Sequence, residues 1–375
     1  MKIAIIAGEA SGDLHGSNLM KAFHALQKDI VFMGIGGDKM IAQGLQPIRH
    51  ISQTNFMGFL EVAKNIRSIR TIMKDTQEML LKERPDALIL IDYPGFNLRM
   101  AKFAHKHGIK VLYYISPQLW AWKKGRIKTI EKCVQKMYVI IPFEKDFYNK
   151  EAGIEVEFVG HPLLDALSNF EPNPDFRKIH GLTEKPIAAV LAGSRKQEIK
   201  KMLPVMLSVA DRFPEYQFVI AGASTLDKNY IAQFIPGHLS VPIIQGQTYQ
   251  ILAHAHIAIV KSGTSTLETA LFNVPEVVVY KGSWLSYQVG KRVINKDMIK
   301  YIAMVNLIMD KPVVQELIQD EFNTENLTLA VQKLGDEAYR KTMQSNFQEL
   351  RKKLGEAGAS RRCAESMLRE IQNKI

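Results

Sequence analysis

Short apolar segments alternate with longer amphipathic segments along almost the whole chain of 375 residues. This alternation is typical of α/β proteins, in which helices connect the strands of a sheet. In the first half of the chain, strands are predicted at 2–7, 31–35, 87–91, 110–115, 137–140 and 157–159. In the second half, strands are predicted at 187–191, 217–220, 241–244, 255–260 and 276–279. The chain is long enough for two domains, and the pattern predicts that both are α/β.

Changes in composition suggest the domain boundaries. Residues 167–186 contain three prolines and mixed charge, which favours a linker. From residue 324 onward the sequence is helical and strongly charged, and a last helix over about 358–373 is expected to cross back onto the first domain. The predicted domains are therefore 1–166 and 167–355, with 356–375 packing on the first.

Charge and cysteine content limit the classes of partner. The net charge of +11 indicates an anionic partner, which could be nucleic acid, a phosphorylated small molecule or a membrane surface. The chain has no zinc-finger spacing, RNA-binding signature or arginine-rich tail, so nucleic acid is not expected. Cys133 and Cys363 lie far apart, which predicts neither a disulfide framework nor a zinc site and favours a reducing cytoplasm.

A turn rich in hydroxyl groups follows the apolar run at 257–260. It consists of Ser262, Gly263, Thr264 and Ser265, and Glu268 follows one helical turn later. Backbone N–H groups at a helix start attract phosphate, and a carboxylate at this position could accept hydrogen bonds from ribose hydroxyls. The alternative is a capping box, in which Glu268 returns to the N–H of the cap residue.

A second turn of this kind contains Gly193, Ser194 and Arg195, directly after the predicted strand at 187–191. An arginine beside a helix start is well placed to bind a diphosphate through two hydrogen bonds. The chain has no Asp-x-Asp pair, the usual carboxylate set for a metal-bound nucleotide diphosphate. Helix dipoles and Arg195 would then have to neutralise the diphosphate without a metal.

Two further turns follow strands of the first domain. After the first strand come Gly8, Glu9, Ala10 and Ser11 with Gly12 and Asp13, where the glycines permit a tight turn and Ser11 or Asp13 could cap the next helix. The glycine spacing matches neither the dinucleotide-binding nor the P-loop motif. After residue 91 comes Asp92, which is a candidate general base or else the cap of a helix that starts near Asn97.

Two apolar segments and one histidine have both structural and functional interpretations. The segment at 116–123 contains Trp120 and Trp122, which would pack in the core or contact a sugar or acyl chains. His161 is interpreted as a hydrogen-bonding turn residue. A third group combines an apolar cluster with cations at helical spacing; its apolar members are Phe56, Met57, Phe59, Leu60 and Val62, and its cations are Lys64, Arg67, Arg70 and Lys74. This group predicts either contact with a membrane surface or an ordinary amphipathic helix.

Nine short motifs in the same order make the chain resemble the lipid-A-disaccharide synthases over nearly its whole length. They are GEASGD at 8–13, MGFLEV at 57–62, IDYPGFN at 91–97, SP with WAW at 116–122, PFE at 142–144, GH at 160–161, GSR at 193–195, SGT at 262–264 with Glu268, and NL at 306–307. The resemblance implies a glycosyltransferase of the B fold, with two Rossmann-like domains facing a cleft and no metal or other cofactor. The implied location is the cytoplasmic face of the inner membrane, as a peripheral protein.

The resemblance also implies a reaction and site residues. The implied reaction moves 2,3-diacylglucosamine from UDP to the 6-hydroxyl of 2,3-diacylglucosamine 1-phosphate, with inversion and release of UDP. Asp92 is the implied base and Arg195 the implied diphosphate contact. The remaining implied UDP contacts are Gly193, Ser194, Ser262, Gly263, Thr264, Ser265, Glu268 and Asn306, with Gly8, Glu9, Ala10 and Ser11 on the opposite wall. Family members often have a second aspartate where this chain has Gly95, so Glu9 is a candidate to assist Asp92.

Two other classes of function remain open at this point. A UDP-N-acetylglucosamine 2-epimerase would share the phosphate turns but would not need a lipid-compatible segment after residue 54. A non-catalytic nucleotide-sugar binding protein would lack a buried base. The sequence also leaves open whether the protein is a monomer or a homodimer.

Overall fold

The computed structural model describes residues 1–53, 66–117, 119, 126–154, 156–168, 170–282 and 300–373. The chain forms two compact units. The first unit contains Met1–Ser168 together with Leu354–Ile375, and the second contains Asn169–Lys353.

The first unit is built on a seven-stranded parallel sheet with the strand order β3-β2-β1-β4-β5-β6-β7. Its strands are β1 (Lys2–Ala7), β2 (Val31–Gly36), β3 (Leu45–His50), β4 (Ala87–Ile91), β5 (Lys110–Tyr114), β6 (Lys136–Val139) and β7 (Val156–Phe158). Its helices are α1 (Ala10–Leu26), α2 (Asp38–Ile41), α3 (Ile66–Glu83), α4 (Pro94–Lys106), α5 (Ile127–Cys133), α6 (Pro142–Ala152) and α7 (Leu163–Ser168). The central strand β4 is buried along its entire length, which is why it is a continuous apolar run.

The second unit contains a six-stranded parallel sheet with the order β10-β9-β8-β11-β12-β13. Its strands are β8 (Ile187–Leu191), β9 (Gln217–Gly222), β10 (Ile243–Gln245), β11 (Ala255–Lys261), β12 (Glu276–Tyr280) and β13 (Gln315–Ile318). Its helices are α8 (Phe176–Ile179), α9 (Lys196–Leu207), α10 (Lys228–Ala232), α11 (Thr248–His254), α12 (Thr264–Leu271), α13 (Met304–Met309), α14 (Thr324–Gly335) and α15 (Glu337–Lys353).

The last helix, α16 (Ala359–Gln372), returns to the first unit and packs on α1. Asp165 fixes its beginning by accepting hydrogen bonds from the backbone N–H groups of Ala359 and Ser360, both at 3.0 Å. A carboxylate at a helix start is favoured by both hydrogen bonding and the helix dipole. The predicted return of the C-terminal helix is confirmed, as is the prediction of two α/β sheets.

Two strands were not predicted, and both lie at a sheet edge. β3 and β13 each have only one neighbouring strand and carry mostly half-exposed or exposed side chains. Edge strands need no continuous apolar run, so the pattern used for prediction is absent from them. The boundary between the units, at 168–169, lies inside the predicted linker 167–186, but most of this segment belongs to the second unit, where Phe176 is buried in the core. In the described ranges, no helix is long and apolar enough to cross a bilayer.

Glu276, the first residue of β12, is completely buried in the second unit. Neither oxygen of its carboxyl group has a hydrogen-bond partner among the residues that the structure describes. Burial raises the pKa of this group well above its usual value. Burial therefore favours the neutral form of this carboxyl group in the folded protein.

This burial makes stability depend on pH. The unfolded chain ionises Glu276 above its ordinary pKa, whereas the folded chain keeps the proton, so stability falls as pH rises towards the raised folded pKa. We expect the wild type to lose up to about 1.4 kcal/mol per pH unit in this range relative to Glu276→Gln, which has no such proton. Urea unfolding at pH 5 and pH 8 measures the difference, with Glu215→Gln at an exposed position as control. An equal difference at both pH values would contradict an ionisation-linked cost.

Candidate functional site

In the first unit, the central strands β1 and β4 end side by side. Ala7 and Ile91 are paired as the last residues of the two strands. The turns that follow them, which begin at Gly8 and Asp92, therefore emerge next to each other at the carboxyl edge of the sheet. In open α/β sheets this edge is where ligands bind.

Asp92 lies in a strained turn that several hydrogen bonds hold in place. Asp92 and the next residue, Tyr93, have φ values of 44° and 48°, in the left-handed region that side chains disfavour. The carbonyl oxygen of Asp92 accepts hydrogen bonds from Nδ2 of buried Asn97 at 2.7 Å and from the hydroxyl of Tyr113 at 2.6 Å. These bonds fix the direction in which the carboxyl group leaves the backbone.

Close packing between the two turns requires a glycine at position 8. A Cβ atom on Gly8 would overlap the ring of Tyr93. The ring of Tyr93 also stacks on Phe96 with 5.7 Å between centroids. The turn after β1 and the turn that carries Asp92 are thus one packed assembly.

The surroundings of Asp92 change its acidity. Burial, followed by the charge of Glu9, raises the pKa of Asp92 to about 7, and the backbone N–H of Tyr93 opposes this shift. A general base works best when its pKa lies near the working pH. Asp92 has this property, and Glu9 contributes to it from the neighbouring turn.

The structure shows which residues cap the helices α4 and α1 of the first unit. The residue that caps α4 is Tyr93 and not Asp92, and the Tyr93 side chain makes no capping hydrogen bond. Helix α1 starts at Ala10 and its cap residue is Glu9, whose side chain makes no capping hydrogen bond, so the predicted cap by Ser11 or Asp13 is wrong. Asp13 instead accepts hydrogen bonds from the N–H groups at 37, 39 and 40 and caps α2, because the chain folds α2 over it.

Gly95 is exposed in the first turn of α4. A Cβ atom at this position would have no neighbour within 4 Å. The second aspartate that is often present here in the family that the sequence resembles would therefore fit without a change in the fold. Its absence leaves Asp92 as the carboxylate on this turn.

In the second unit, the central strands β8 and β11 also end side by side, with Leu191 paired with Val260. The turn after β8 contains Gly193, with φ of 102°, and leads into α9 through Arg195. The turn after β11 contains Ser262 and Gly263 and leads into α12, whose first residues are Thr264 and Ser265. Two helix starts therefore meet at the carboxyl edge of the second sheet.

Two residues that the sequence analysis did not select join these turns. The Glu198 carboxylate lies 2.9 Å from Nζ of Lys261 and 3.6 Å from a guanidinium nitrogen of Arg195. It also accepts a hydrogen bond from the backbone N–H of Ser194 at 3.2 Å. The sequence pointed to these two residues only through their closeness to predicted site residues. Glu198 follows Arg195 by three positions, and Lys261 directly precedes Ser262.

The capping-box interpretation of the turn after β11 is wrong. Helix α12 begins at Thr264 and its cap residue is Gly263, without a side-chain hydrogen bond. Glu268 instead accepts a hydrogen bond from the hydroxyl of Tyr249 at 3.1 Å. Burial raises the pKa of Glu268, while its hydrogen bonds to Tyr249 and Ser265 lower it.

Ser262 and Asn306 are bonded within the protein. The Ser262 hydroxyl donates to the carbonyl of Ile302 at 3.2 Å. Asn306 is buried, and its Nδ2 donates to Val314 and Glu316 at 2.9 and 2.8 Å, while its Oδ1 accepts from the Val314 N–H. Both residues therefore brace the segment around residue 302 beside the turn. For Asn306 the link is through Glu316, which accepts the N–H groups of Ile302 and Ala303, and contact of these residues with UDP stays a prediction.

The remaining predicted residues fall into three groups. The residues Phe56, Met57, Phe59, Leu60 and Val62, with Lys64, Trp120 and Trp122, lie outside the described residues. Arg67 and Arg70 are exposed on α3, on the face opposite buried Ile72. Buried His161 accepts a hydrogen bond from the N–H of Leu163 at 3.2 Å, which fits a turn residue, and burial lowers its pKa to about 3. The described ranges contain no cluster of side chains suited to a metal ion.

Comparison with known sequences identifies one family. The sequence model of the family described as lipid-A-disaccharide synthetase matches residues 3–371. The lipid-A-disaccharide synthase of Syntrophus aciditrophicus is 43% identical over 375 residues, which cover 96% of each chain. The enzyme of the same name from Geobacter sulfurreducens is 39% identical over 381 residues, covering 100% of this chain and 98% of the other.

Solved structures share the fold at low sequence identity. The UDP-GlcNAc 2-epimerase from Neisseria meningitidis bound to UDP-GlcNAc has a TM-score of 0.67 and 14% identity, over 98% of this chain and 100% of the other. CalG4, the calicheamicin glycosyltransferase, has a TM-score of 0.59 and 14% identity over 99% of both chains. These similarities agree with the predicted glycosyltransferase B fold.

The acidity of Asp92 can be measured directly. We expect its carboxyl carbon to titrate near pH 7 by carbon-13 NMR, with the signal assigned through Asp92→Asn. Glu9→Gln should lower this pKa only in part, because burial is the larger cause. Glu131→Gln, at an exposed position on α5, should leave it unchanged. A wild-type pKa near the ordinary value of about 4 would contradict the proposed tuning.

Proposed function

The chain belongs to the lipid-A-disaccharide synthase family, and from this premise we propose that it joins two acylated glucosamine units. As a member of this family it is a glycosyltransferase of lipid A biosynthesis. The proposed reaction moves 2,3-diacylglucosamine from UDP to the 6-hydroxyl of 2,3-diacylglucosamine 1-phosphate. The products are lipid A disaccharide 1-phosphate and UDP.

The observation that supports this proposal most is the fixed, tuned carboxyl group of Asp92. In the proposed step, Asp92 takes the proton of the 6-hydroxyl as that oxygen attacks the anomeric carbon of the donor sugar. The bond between the anomeric carbon and the phosphate oxygen breaks, and its electron pair leaves with UDP. Attack opposite the leaving group inverts the anomeric centre. A general base of this kind typically supplies about 10²- to 10⁴-fold in rate.

The second unit is proposed to hold UDP. The starts of α9 and α12 present backbone N–H groups and positive dipole ends, and Arg195 adds a cation. These charges would stabilise the diphosphate as it gains negative charge in the transition state. Glu268, held by Tyr249, is placed to accept hydrogen bonds from ribose hydroxyls.

One experiment distinguishes the proposed transferase from its two alternatives, an epimerase and a non-catalytic binding protein. The structural likeness to UDP-GlcNAc 2-epimerases is at 14% identity and concerns the fold alone. The protein is incubated with UDP-diacylglucosamine, with and without the acceptor lipid, and the products are identified by mass spectrometry. A disaccharide that requires the acceptor supports the transferase, an isomerised UDP-sugar supports an epimerase, and unchanged substrates support a binding protein.

The acceptor and donor both carry acyl chains, so we place the protein at the cytoplasmic face of the inner membrane, bound peripherally. The described part of this surface is the exposed face of α3, with Arg67, Arg70 and Lys74. Cations near an anionic membrane surface each contribute about 1 kcal/mol.

Asp92→Asn should abolish turnover and leave UDP affinity within about twofold, because a base acts on the acceptor hydroxyl and not on the nucleotide. Single-turnover product formation and UDP binding by calorimetry provide the two measurements. EDTA is present throughout, since the resemblance implies a reaction without metal. Near-normal turnover of the variant would disprove the assignment, and loss of wild-type activity in EDTA that Mg²⁺ restores would disprove the metal-free reaction.

Binding to membranes should depend on the exposed cations of α3. We expect the wild type to float with anionic vesicles in a salt-sensitive manner. Arg67→Glu combined with Arg70→Glu should reduce flotation with little change in thermal stability, because both residues are exposed. The matched control reverses two exposed charges on α4, Lys102→Glu and Lys106→Glu. Equal loss in both double variants would point to net charge, and unchanged flotation to a docking surface elsewhere.

A further inference from the structure

Lys261 and Glu198 form an ion pair at the carboxyl edge of the second sheet. Their side chains are only 19% and 16% exposed, and Nζ and Oε1 are 2.9 Å apart. Lys261 is the last residue of β11, and Glu198 lies in the first turn of α9, which follows the neighbouring strand β8. The pair therefore connects the two turns that are proposed to bind the diphosphate of UDP.

The groups around the Glu198 carboxylate are those that proteins use to bind phosphate. One oxygen contacts Lys261 and, at 3.6 Å, Arg195. The other oxygen accepts the backbone N–H of Ser194. This oxygen fills the space that a side chain at Gly193 would need, since a Cβ atom there would overlap it. A carboxylate of the protein thus has two cations, a backbone N–H and a helix start as its partners.

We propose that Lys261 is a second cation for the diphosphate of UDP and that Glu198 is a counter-ion that holds Lys261 and Arg195 until UDP binds. The proposal rests on the proposed function, because it concerns the same diphosphate. Without Glu198, two cations would stand close together at a helix start and repel each other. When UDP binds, its diphosphate competes with Glu198 for Lys261 and Arg195. When UDP dissociates, both cations pair with Glu198 again.

Lys261→Met tests the first part, because methionine keeps most of the length of the side chain and removes the charge. We expect UDP affinity, measured by calorimetry, to fall about 10- to 100-fold, the scale of one charged hydrogen bond. Affinity for uridine, which has no phosphate, should change by less than about twofold, and Lys261→Arg should stay near the wild type. The matched control is Lys201→Met, which removes an exposed cation from α9.

Glu198→Gln tests the second part. Glutamine keeps the shape and an acceptor for the Ser194 N–H but removes the competing negative charge. UDP affinity should therefore increase about threefold or more, because the cations are no longer shared with a carboxylate. Weaker UDP binding would overturn the counter-ion role and make Glu198 a structural support of the site.

The double variant separates direct contact from simple neutralisation. If Lys261 contacts the diphosphate, Lys261→Met with Glu198→Gln binds UDP about tenfold more weakly than Glu198→Gln alone. If Lys261 only neutralises Glu198, the double variant binds as tightly as Glu198→Gln, and the proposal is overturned. Thermal melting of every variant shows whether it is folded. Failure of the wild type to bind UDP would refute the proposed function itself, whereas wild-type binding with an unaffected Lys261→Met refutes this inference alone.

Discussion

Parallel pairing of the central strands is the constraint on which the rest of the structure depends. In each unit, backbone hydrogen bonds align two central strands so that they end side by side: Ala7 of β1 pairs with Ile91 of β4, and Leu191 of β8 pairs with Val260 of β11, one residue before that strand ends. The turns that follow these strands therefore lie next to each other, and each leads into a helix. Residues far apart in the chain, such as Glu198 and Lys261, become neighbours for this reason. The site residues proposed for both units lie at these strand ends.

Carboxylates in the turns and helices that follow the strands have two distinct roles. Asp13 and Asp165 each accept backbone N–H groups at the start of a helix that is distant in the chain, and so they stabilise the fold. Asp92 and Glu268 lack such caps, and burial raises the pKa of both. Hydrogen bonds to a carboxylate favour its charged form, whereas burial favours the neutral form and raises the pKa. Asp92 receives a backbone N–H only from Tyr93, and the net rise of its pKa suits it to accept a proton.

Much of the fold was predictable because it is encoded in local patterns. Apolar runs identified both central sheets, and the charged, amphipathic end of the chain predicted a terminal helix that proved to be α16. The edge strands β3 and β13 could not be found in this way, since half-exposed strands carry no apolar run. The same limit applied to Phe176, whose burial depends on the core that it joins and not on the prolines around it. The sequence identified the turns of the candidate site but not the residues Glu198 and Lys261, which connect two of them.

The sequence by itself determined the α/β class, the turns that end the central strands and the family, because each of these is written in contiguous residues. Only the tertiary structure decided what individual side chains do there. Asp13 is the cap of α2, Asn306 is a brace, and Glu268 bonds to Tyr249 and not to its own helix start. The pKa of Asp92 and the sharing of Glu198 by two cations likewise depend on burial and on charges from other strands. Electrostatic energy depends on distance in space, which the order of residues along the chain does not contain.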